Sequence, residues 1–296
     1  MPCCTVDIAF SGSKLERADY VRTDPERLEA LHSPQARLLK LDGLIPELDS
    51  AGELAWTGLH HAPEGAELVF LGLMGGRGCF AAVPIEGSVD PAFAHRATWK
   101  AIAMMSADDM AIYGCARSLV DWHARHRFCA KCGGPTQLAK GGWQRNCSSQ
   151  ACKAEHFPRV DPVTIMLVEH GGKLLLGRQP RFPPRSFSAL AGFIEPGESI
   201  EEAVAREVWE EAGVKVRDVS YIFSQPWPFP SQLMIGCHAN ADSAELTIDE
   251  TEIEEARWFS REEVAGALQK ERESESFVPP PAQAIAHQML KWWVEK

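Results

Sequence analysis

A mixed α/β chain, interrupted near its middle by a small cysteine-rich module, is the fold class the sequence predicts. Three observations carry that expectation. Short apolar runs bounded by Gly and Pro alternate with stretches of helical apolar periodicity, the pattern of strands alternating with helices. Four of the nine cysteines fall within 24 residues. The 296 residues are 45% hydrophobic and 24% charged, ordinary globular composition at a length that allows about two or three domains.

Taken in order, Leu68–Leu73 and Cys79–Pro84, separated by Gly75-Gly76-Arg77-Gly78, predict two strands and a turn. Asp108–Arg125 predicts a helix, because Met110, Ala111, Cys115, Leu119 and Trp122 recur at helical spacing. Residues 1–125 therefore read as a small N-terminal α/β domain without a legible chemical motif. Residues 126–158 gather cysteines and glycines. From 159 to 296 the pattern is αβ. Pro162–Glu169 and Lys173–Arg178 read as a hairpin turned at Gly171-Gly172, and Ser199–Ala212 as a helix closed by Gly213. Val219–Phe223 and Leu233–Ala239 read as strands, Arg261–Gln269 and Pro281–Trp293 as helices. The last would open on Pro279-Pro280-Pro281, since proline is tolerated in a first helical turn.

Acids number 41 and bases 30, so the net charge of −11 makes a poor general binder of nucleic acid or anionic membranes. Over 117–159, however, eight bases meet two acids. Such a ribbon either contacts nucleic acid or is a solvated face that balances acidic neighbours. No run approaches the roughly 20 apolar residues of a membrane span. The two ends of the sequence match no export or retention signal, so a cytoplasmic protein with no membrane partner is the expectation. An odd number of cysteines argues against a disulfide framework.

Cys129-x2-Cys132 and Cys147-x4-Cys152 lie 14 residues apart. Each pair can form a turn that aims two thiolates at one ion. Four thiolates close a tetrahedral Zn²⁺ site with no open position, the mark of a structural metal. The alternative is a set of free buried cysteines. Cys3, Cys4, Cys79, Cys115 and Cys237 have no such company and read as small apolar residues.

The most informative stretch runs from Gly192 to Val214. Glu207, Glu210 and Glu211 stand at i, i+3 and i+4, three carboxylates on one helical face with only Arg206 beside them. Like charges so placed repel. Either the helix is a solvated acidic one, or the carboxylates serve a hard divalent cation. The full spacing decides between them. Gly192, five residues, Glu198, seven residues, Arg206-Glu207, Val208, Trp209, Glu210-Glu211, Ala212, Gly213 and Val214 resemble the Nudix box at every fixed position. The resemblance implies an αβα sandwich with a mixed sheet, and hydrolysis of a nucleoside diphosphate linked to another group. It implies Mg²⁺ or Mn²⁺ held by Glu207 and Glu211, by Glu210, and by the carbonyl of Ala191. It also implies that Glu198 pairs with Arg206 to hold the loop against the helix.

Downstream, Ser224-Gln225-Pro226-Trp227-Pro228-Phe229-Pro230-Ser231-Gln232 alternates prolines with aromatics. Prolines stiffen the backbone, so the rings either project to stack on a planar base or pack a rigid core loop. This motif, placed after a four-cysteine ribbon and a Nudix box, is similar to that of the NADH pyrophosphatase family. The resemblance covers 126–296 well and the first 125 residues loosely. It implies a homodimeric, metal-dependent enzyme that splits NAD(H) into NMN(H) and AMP and also removes NAD caps from RNA 5′ ends. Residues 225–232 would line the substrate site, and Phe157 would stack on a base. Ala286 would touch substrate, and Glu252 would add a metal ligand from outside the box. Gly142 stands where some bacterial members carry a glutamate, so no role transfers to it. A zinc-ribbon binding module with a degenerate hydrolase domain is the competing class, and the intact Arg206-Glu207 and Glu210-Glu211 argue against it.

Overall fold

The computed structural model describes residues 8–85 and 96–296, so Cys3 and Cys4 lie outside the described residues. The chain forms two compact units. One takes its described residues from Phe10–Val160 and Pro226–Ser231. The other comprises Asp161–Gln225 and Gln232–Lys296, with Ile8 and Ala9.

The first unit opens with two short helices, α1 (Asp19–Arg22) and α2 (Pro25–Ala30). Then come β1 (Arg37–Leu39), a small hairpin of β2 (Leu41–Asp42) and β3 (Ile45–Pro46), and β4 (Trp56–Thr57). The expected pair of strands forms as β5 (Leu68–Met74) and β6 (Arg77–Ala82). The sheet runs β4-β1-β6-β5. After α3 (Arg96–Ile102), the long helix α4 (Ala107–Arg125) packs on β5 and β6. The Ser106 hydroxyl caps α4 by accepting the Asp109 N–H at 3.2 Å, and Ile112, Tyr113, Ala116, Leu119 and Val120 are buried along it.

The cysteine-rich module is a three-stranded ribbon of β7 (Thr136–Ala139), β8 (Gln144–Cys147) and β9 (Glu155–His156). A buried polar knot ties it to the rest of its unit. The Arg145 guanidinium donates to both carboxylate oxygens of Glu67 (2.7 and 3.0 Å), to the Thr136 hydroxyl (2.8 Å) and to His123 Nδ1 (2.9 Å). With Nδ1 accepting, His123 carries its proton on Nε2 and donates it to the Gly142 carbonyl at 2.7 Å. Gly142 sits at φ 90°, and a Cβ there would fall 2.8 Å from a Val69 methyl. A glutamate at this position would have to displace β5. The +6 of the ribbon thus loses part of its surface meaning, because Arg145 is spent in the interior and Arg125 pairs with Asp121.

The second unit is an αβα sandwich. Its strands are β10 (Asp161–His170), β11 (Lys173–Arg178), β12 (Leu190–Phe193), β13 (Val216–Trp227), β14 (Gln232–Ala241) and β15 (Glu255–Ser260). The order is β13-β14-β10-β11-β15, with β12 added on β10. β10 runs parallel to β14 and antiparallel to β11 and β12, so the sheet is mixed. Period-two alternation sends the residues of β10 to two cores. Ile165 and Leu167 join Val264, Ala267, Met289, Leu290 and Trp293 of α6 (Arg261–Lys270) and α7 (Ile285–Glu295). Met166 and Val168 join Val204, Val208 and Ala212 of α5 (Ile200–Ala212).

Two boundaries differ most from expectation: β13 spans Val216–Trp227 where the sequence predicts Val219–Phe223, and the last helix starts late. α7 begins at Ile285, four residues after Pro281, because 281–284 close a turn with Ala284 N–H donating to the Pro281 carbonyl at 2.8 Å. The cap comes from elsewhere: Gln225 Oε1 accepts the Ile285 N–H at 2.8 Å. Among the described residues no helix is long and apolar enough to cross a membrane.

Candidate active site

Helix α5 is framed by local chemistry. Ser199 and Glu202 form a reciprocal capping box at its start, and Gly213, left-handed at φ 67°, ends it. Ala203, Val204, Val208 and Ala212 anchor its apolar face in the core. Glu207 and Glu211 are thereby carried inward, 8% and 4% exposed, while Glu210 stays at the surface.

Arg206 organises the rim. Its guanidinium grips Glu198 in a fork, Nε to Oε1 at 2.6 Å and Nη2 to Oε2 at 2.9 Å. Nη1 donates to Glu207 at 2.8 Å and to Glu210 at 2.9 Å, and Nη2 also donates to the Phe193 carbonyl at 2.9 Å. The Glu195 N–H adds a bond to Glu198 at 2.9 Å. Arg206 and that N–H hold the Glu198 carboxyl down at about 2. The expected Glu198–Arg206 pair is thus formed, and the arginine also orients Glu207.

Glu211 lacks such support. Burial pushes its pKa up to about 8, and the charges of Glu207, Glu252 and Glu210 push the same way. Burial, Glu210 and Glu252 also raise Glu207, against the pull of Arg206. Glu252 stands in an exposed turn before β15, close enough to act on both carboxylates. The Glu211 Oε2 atom is buried without a hydrogen-bond partner. Buried, unsatisfied and mutually repelling carboxylates cost free energy unless a cation joins them. Hard oxygen donors in this number fit a divalent ion such as Mg²⁺ or Mn²⁺.

The reason for Gly192 is space rather than backbone angle. A Cβ there would fall 1.9 Å from the Glu207 carboxyl carbon, inside the group itself. Gly192 and Ala191 lie on β12, paired with Thr164 and Ile165 of β10, so the sheet fixes this strand against the helix.

The four ribbon sulfurs cluster within 4.8 Å of one another. Cys132 and Cys147 are 3.4 Å apart, Cys129 and Cys152 3.8 Å. A Zn–S distance of about 2.3 Å makes the edge of a tetrahedron about 3.8 Å, so the sulfurs are spaced for one ion. Burial works to raise the Cys129 thiol, but the N–H groups of Cys132 and Lys131 and the His156 ring bring it down to about 6, favouring thiolate.

The proline-rich stretch divides in two. Gln225 is buried, and its amide is spent inside the chain on the carbonyls of Ala9 (3.2 Å) and Gln283 (2.8 Å) besides capping α7. Phe229 is buried too. It stacks on Trp99 at 5.0 Å, meets Phe10 and Trp227 edge-on, and lies under the Arg117 guanidinium. Arg117 in turn donates to the Pro228 carbonyl at 2.7 Å, and Pro228 is buried. The side chains of Gln225, Pro228 and Phe229 are thus buried and engaged inside the chain. Ala286 is likewise buried in the core with α7. Pro226, Trp227, Pro230, Ser231 and Gln232 keep exposed or half-exposed surface, as does Phe157 at 59%. The Ser231 hydroxyl donates to the Arg159 carbonyl at 2.9 Å. Sequence reasoning missed Gln225 as a cap and Arg117 and Trp99 as supports, all tertiary contacts between distant residues.

A mixed sheet between helices, with a Gly-bounded loop leading into a carboxylate-bearing helix, defines the Nudix class, and residues 158–279 match the NUDIX domain family. Residues 124–157 match the NADH pyrophosphatase zinc ribbon domain, and 27–122 the NADH pyrophosphatase-like rudimentary NUDIX domain. The NAD-capped RNA hydrolase NudC of Mycobacterium bovis is 41% identical over 262 residues, covering 86% of this chain and 82% of that one. The human NAD-capped RNA hydrolase NUDT12 is 43% identical over 266 residues, 87% of this chain and 54% of the relative. The human mitochondrial NAD(P)H pyrophosphatase NUDT13 is 42% identical over 207 residues, 67% and 58% of the two chains. The chain belongs to the zinc-ribbon-containing NADH pyrophosphatase family of the Nudix hydrolases. It spans about half the length of the human relatives it matches.

Proposed function

We propose that this chain hydrolyses the pyrophosphate bond of NAD(H), yielding NMN(H) and AMP, with Mg²⁺ or Mn²⁺ at the α5 carboxylates and Zn²⁺ in the ribbon. The observation that carries the reading is the buried Glu207–Glu211 pair with its orphaned Glu211 oxygen. Three relatives whose names specify NAD-capped RNA or NAD(P)H support the substrate. Glu207 and Glu211 would be the principal ligands, with Glu210, Glu252 and the Ala191 carbonyl completing the set. Bound there, a divalent ion supplies charge neutralisation for the pyrophosphate oxygens and lowers the pKa of a water. A carboxylate of the cluster takes a proton from the attacking water as the P–O–P bridge breaks. Arg206 holds Glu207 in register, and Glu198 holds Arg206. Trp227 and Phe157 are the proposed stacking residues, with Pro226, Pro230, Ser231 and Gln232 beside Trp227 in sequence.

A second reading, removal of NAD caps from RNA 5′ ends as the main role, draws on the names of two of these relatives. Exposed Lys131 and Lys153 leave the ribbon some basic surface for it. We further propose a cytoplasmic homodimer. Among the described residues no cysteines form a disulfide, and four are grouped for a metal, which suits a reducing compartment.

The test is product analysis by chromatography with Mg²⁺ or Mn²⁺ and, separately, NADH, NAD⁺, ADP-ribose, a dinucleoside polyphosphate and NAD-capped RNA. NMNH plus AMP from NADH, abolished by Glu211→Gln, is the expected result. Turnover of a different diphosphate alone would discard the NAD(H) assignment and keep the metal site. No turnover by a folded, zinc-loaded protein would favour a binding module.

A further inference from the structure

We propose that His156 is a positioning residue: it donates its Nε2 proton to the Cys129 sulfur and so makes the loaded four-cysteine centre fix the backbone that presents Phe157. The significance for substrate rests on the reading of Phe157 as a stacking residue.

His156 Nε2 lies 3.2 Å from Cys129 Sγ. That contact joins the last strand of the ribbon to its first knuckle. The knuckle itself is firm: Cys129 N–H donates to the Gly134 carbonyl at 2.7 Å, and Gly133 N–H to the Cys129 carbonyl at 2.8 Å. Strand β9, by contrast, is only Glu155–His156, laid against Asn146 and Arg145 of β8. A two-residue strand orders its successor weakly. Pro158 follows Phe157 and lacks an N–H with which to extend the ladder. Phe157 is 59% exposed, so it has little packing of its own to hold it. The imidazole is therefore the side chain that pins the end of β9, and its anchor is one of the four metal-facing sulfurs. An N–H donor relieves part of the charge a thiolate carries and fixes its direction, as outer hydrogen bonds to metal ligands do. The influence runs both ways: the ring steadies the sulfur, and an ion that holds the sulfur steadies the ring.

The experiment compares the zinc-loaded wild type with His156→Gln, whose amide can donate to the same sulfur, and with His156→Phe and His156→Leu, which cannot donate. Zinc release to a chromogenic chelator is read without substrate. Amide hydrogen exchange is read over 153–160, and KM and kcat are measured on NADH, with Phe157→Ala as reference. In the Phe and Leu variants release should quicken about tenfold. Exchange over 153–160 should rise toward that of zinc-stripped wild type. KM should climb toward that of Phe157→Ala while kcat stays near wild type. Gln should restore all three readouts. Unchanged release and exchange in both apolar variants would overturn the proposal. So would equal damage by Gln, which would make ring shape rather than the donated proton the cause. If the zinc and exchange differences appear but NADH is not turned over, the His156 contact stands and the NAD(H) reading falls.

Discussion

On α5, two carboxylates are buried side by side, one with an unpartnered oxygen and both pushed toward protonation by burial and by their neighbours. In the ribbon, four sulfurs close on a point; N–H groups and a histidine ease Cys129 toward the thiolate, while Cys147 and Cys152, against their own N–H bonds, are left raised by burial and the neighbouring thiols. Both clusters gather anionic donors, but the protein balances them differently. The ribbon offers soft ligands in a closed tetrahedron and leaves no face for a reactant. The helix offers hard ligands on one side, backs them with a single arginine, and leaves the charge incompletely met. A site satisfied by its ion alone serves structure. A site that still needs a partner after its own hydrogen bonds are counted can admit an ion and a phosphate together.

The sharpest way to break this contrast is Glu211→Gln. Turnover should fall about 10²–10³-fold or more, while the fold persists. The amide also needs no proton taken up on burial, as the Glu211 carboxyl does at neutral pH, so the metal-free variant should melt higher than metal-free wild type. A gain of about 1 kcal/mol would read as about 2–4 °C by calorimetry. Mg²⁺ or Mn²⁺ should raise the wild-type Tm and leave the variant nearly unmoved. If the variant melts lower and still responds to metal, the carboxylate is structural and the contrast fails.

Arg206→Lys tests the support rather than the donors. An ammonium cannot hold Glu198 in a two-pronged grip while reaching Glu207, Glu210 and the Phe193 carbonyl. Activity should drop about 10–100-fold, the usual cost of losing an outer partner of a ligand. Steady-state kinetics against metal concentration would show a raised metal requirement. On the ribbon side, Cys132→Ser should abolish zinc retention in elemental analysis. Losing even about 2 kcal/mol there would lower the melting of that unit by about 4–8 °C. Added Mg²⁺ should restore none of it, since hard oxygen-seeking ions do not replace zinc among thiolates.

The two regions were also unequally legible in the sequence. Glu207, Glu210 and Glu211 could be read because helical period alone puts them on one face, and the ribbon because paired cysteines are rare. Strand pairing around Gly171-Gly172 and the alternation along β10 were local signals as well. What the sequence could not show was whatever distant contacts set. Gln225 resembles a substrate ligand in sequence but caps a helix 60 residues away. Phe229 resembles a projecting ring but is buried against Trp99 and Arg117. Pro281 resembles a helix start, yet the helix waits for that remote cap at Ile285. Gly192 and Gly142 were visible as glycines, but the carboxylate and the valine methyl that demand them were not.

A smaller effect separates the ribbon's unit from the glutamate site by pH. Burial lowers the His123 pKa to about 4, the Gly142 carbonyl resisting and the Arg145 charge assisting, with Glu67 and His126 acting in opposite directions. A proton on Nδ1 would face the Arg145 N–H that now donates there. The unfolded chain, with an ordinary histidine near 6.5, binds that proton more readily than the folded chain. Stability from this group is therefore full above about pH 6.5 and is lost as pH falls toward about 4, at most about 3 kcal/mol in all. Glu67 does not confuse that window, because Arg145 outweighs burial and holds its carboxyl below the ordinary value. Glu211, raised to about 8, gains stability over the same fall in pH, so urea unfolding at pH 7 and pH 5 is read in the Glu211→Gln background, where the loss should show and added His123→Gln, which does not titrate, should flatten it. An equal acid loss in the variant would move the cause away from His123.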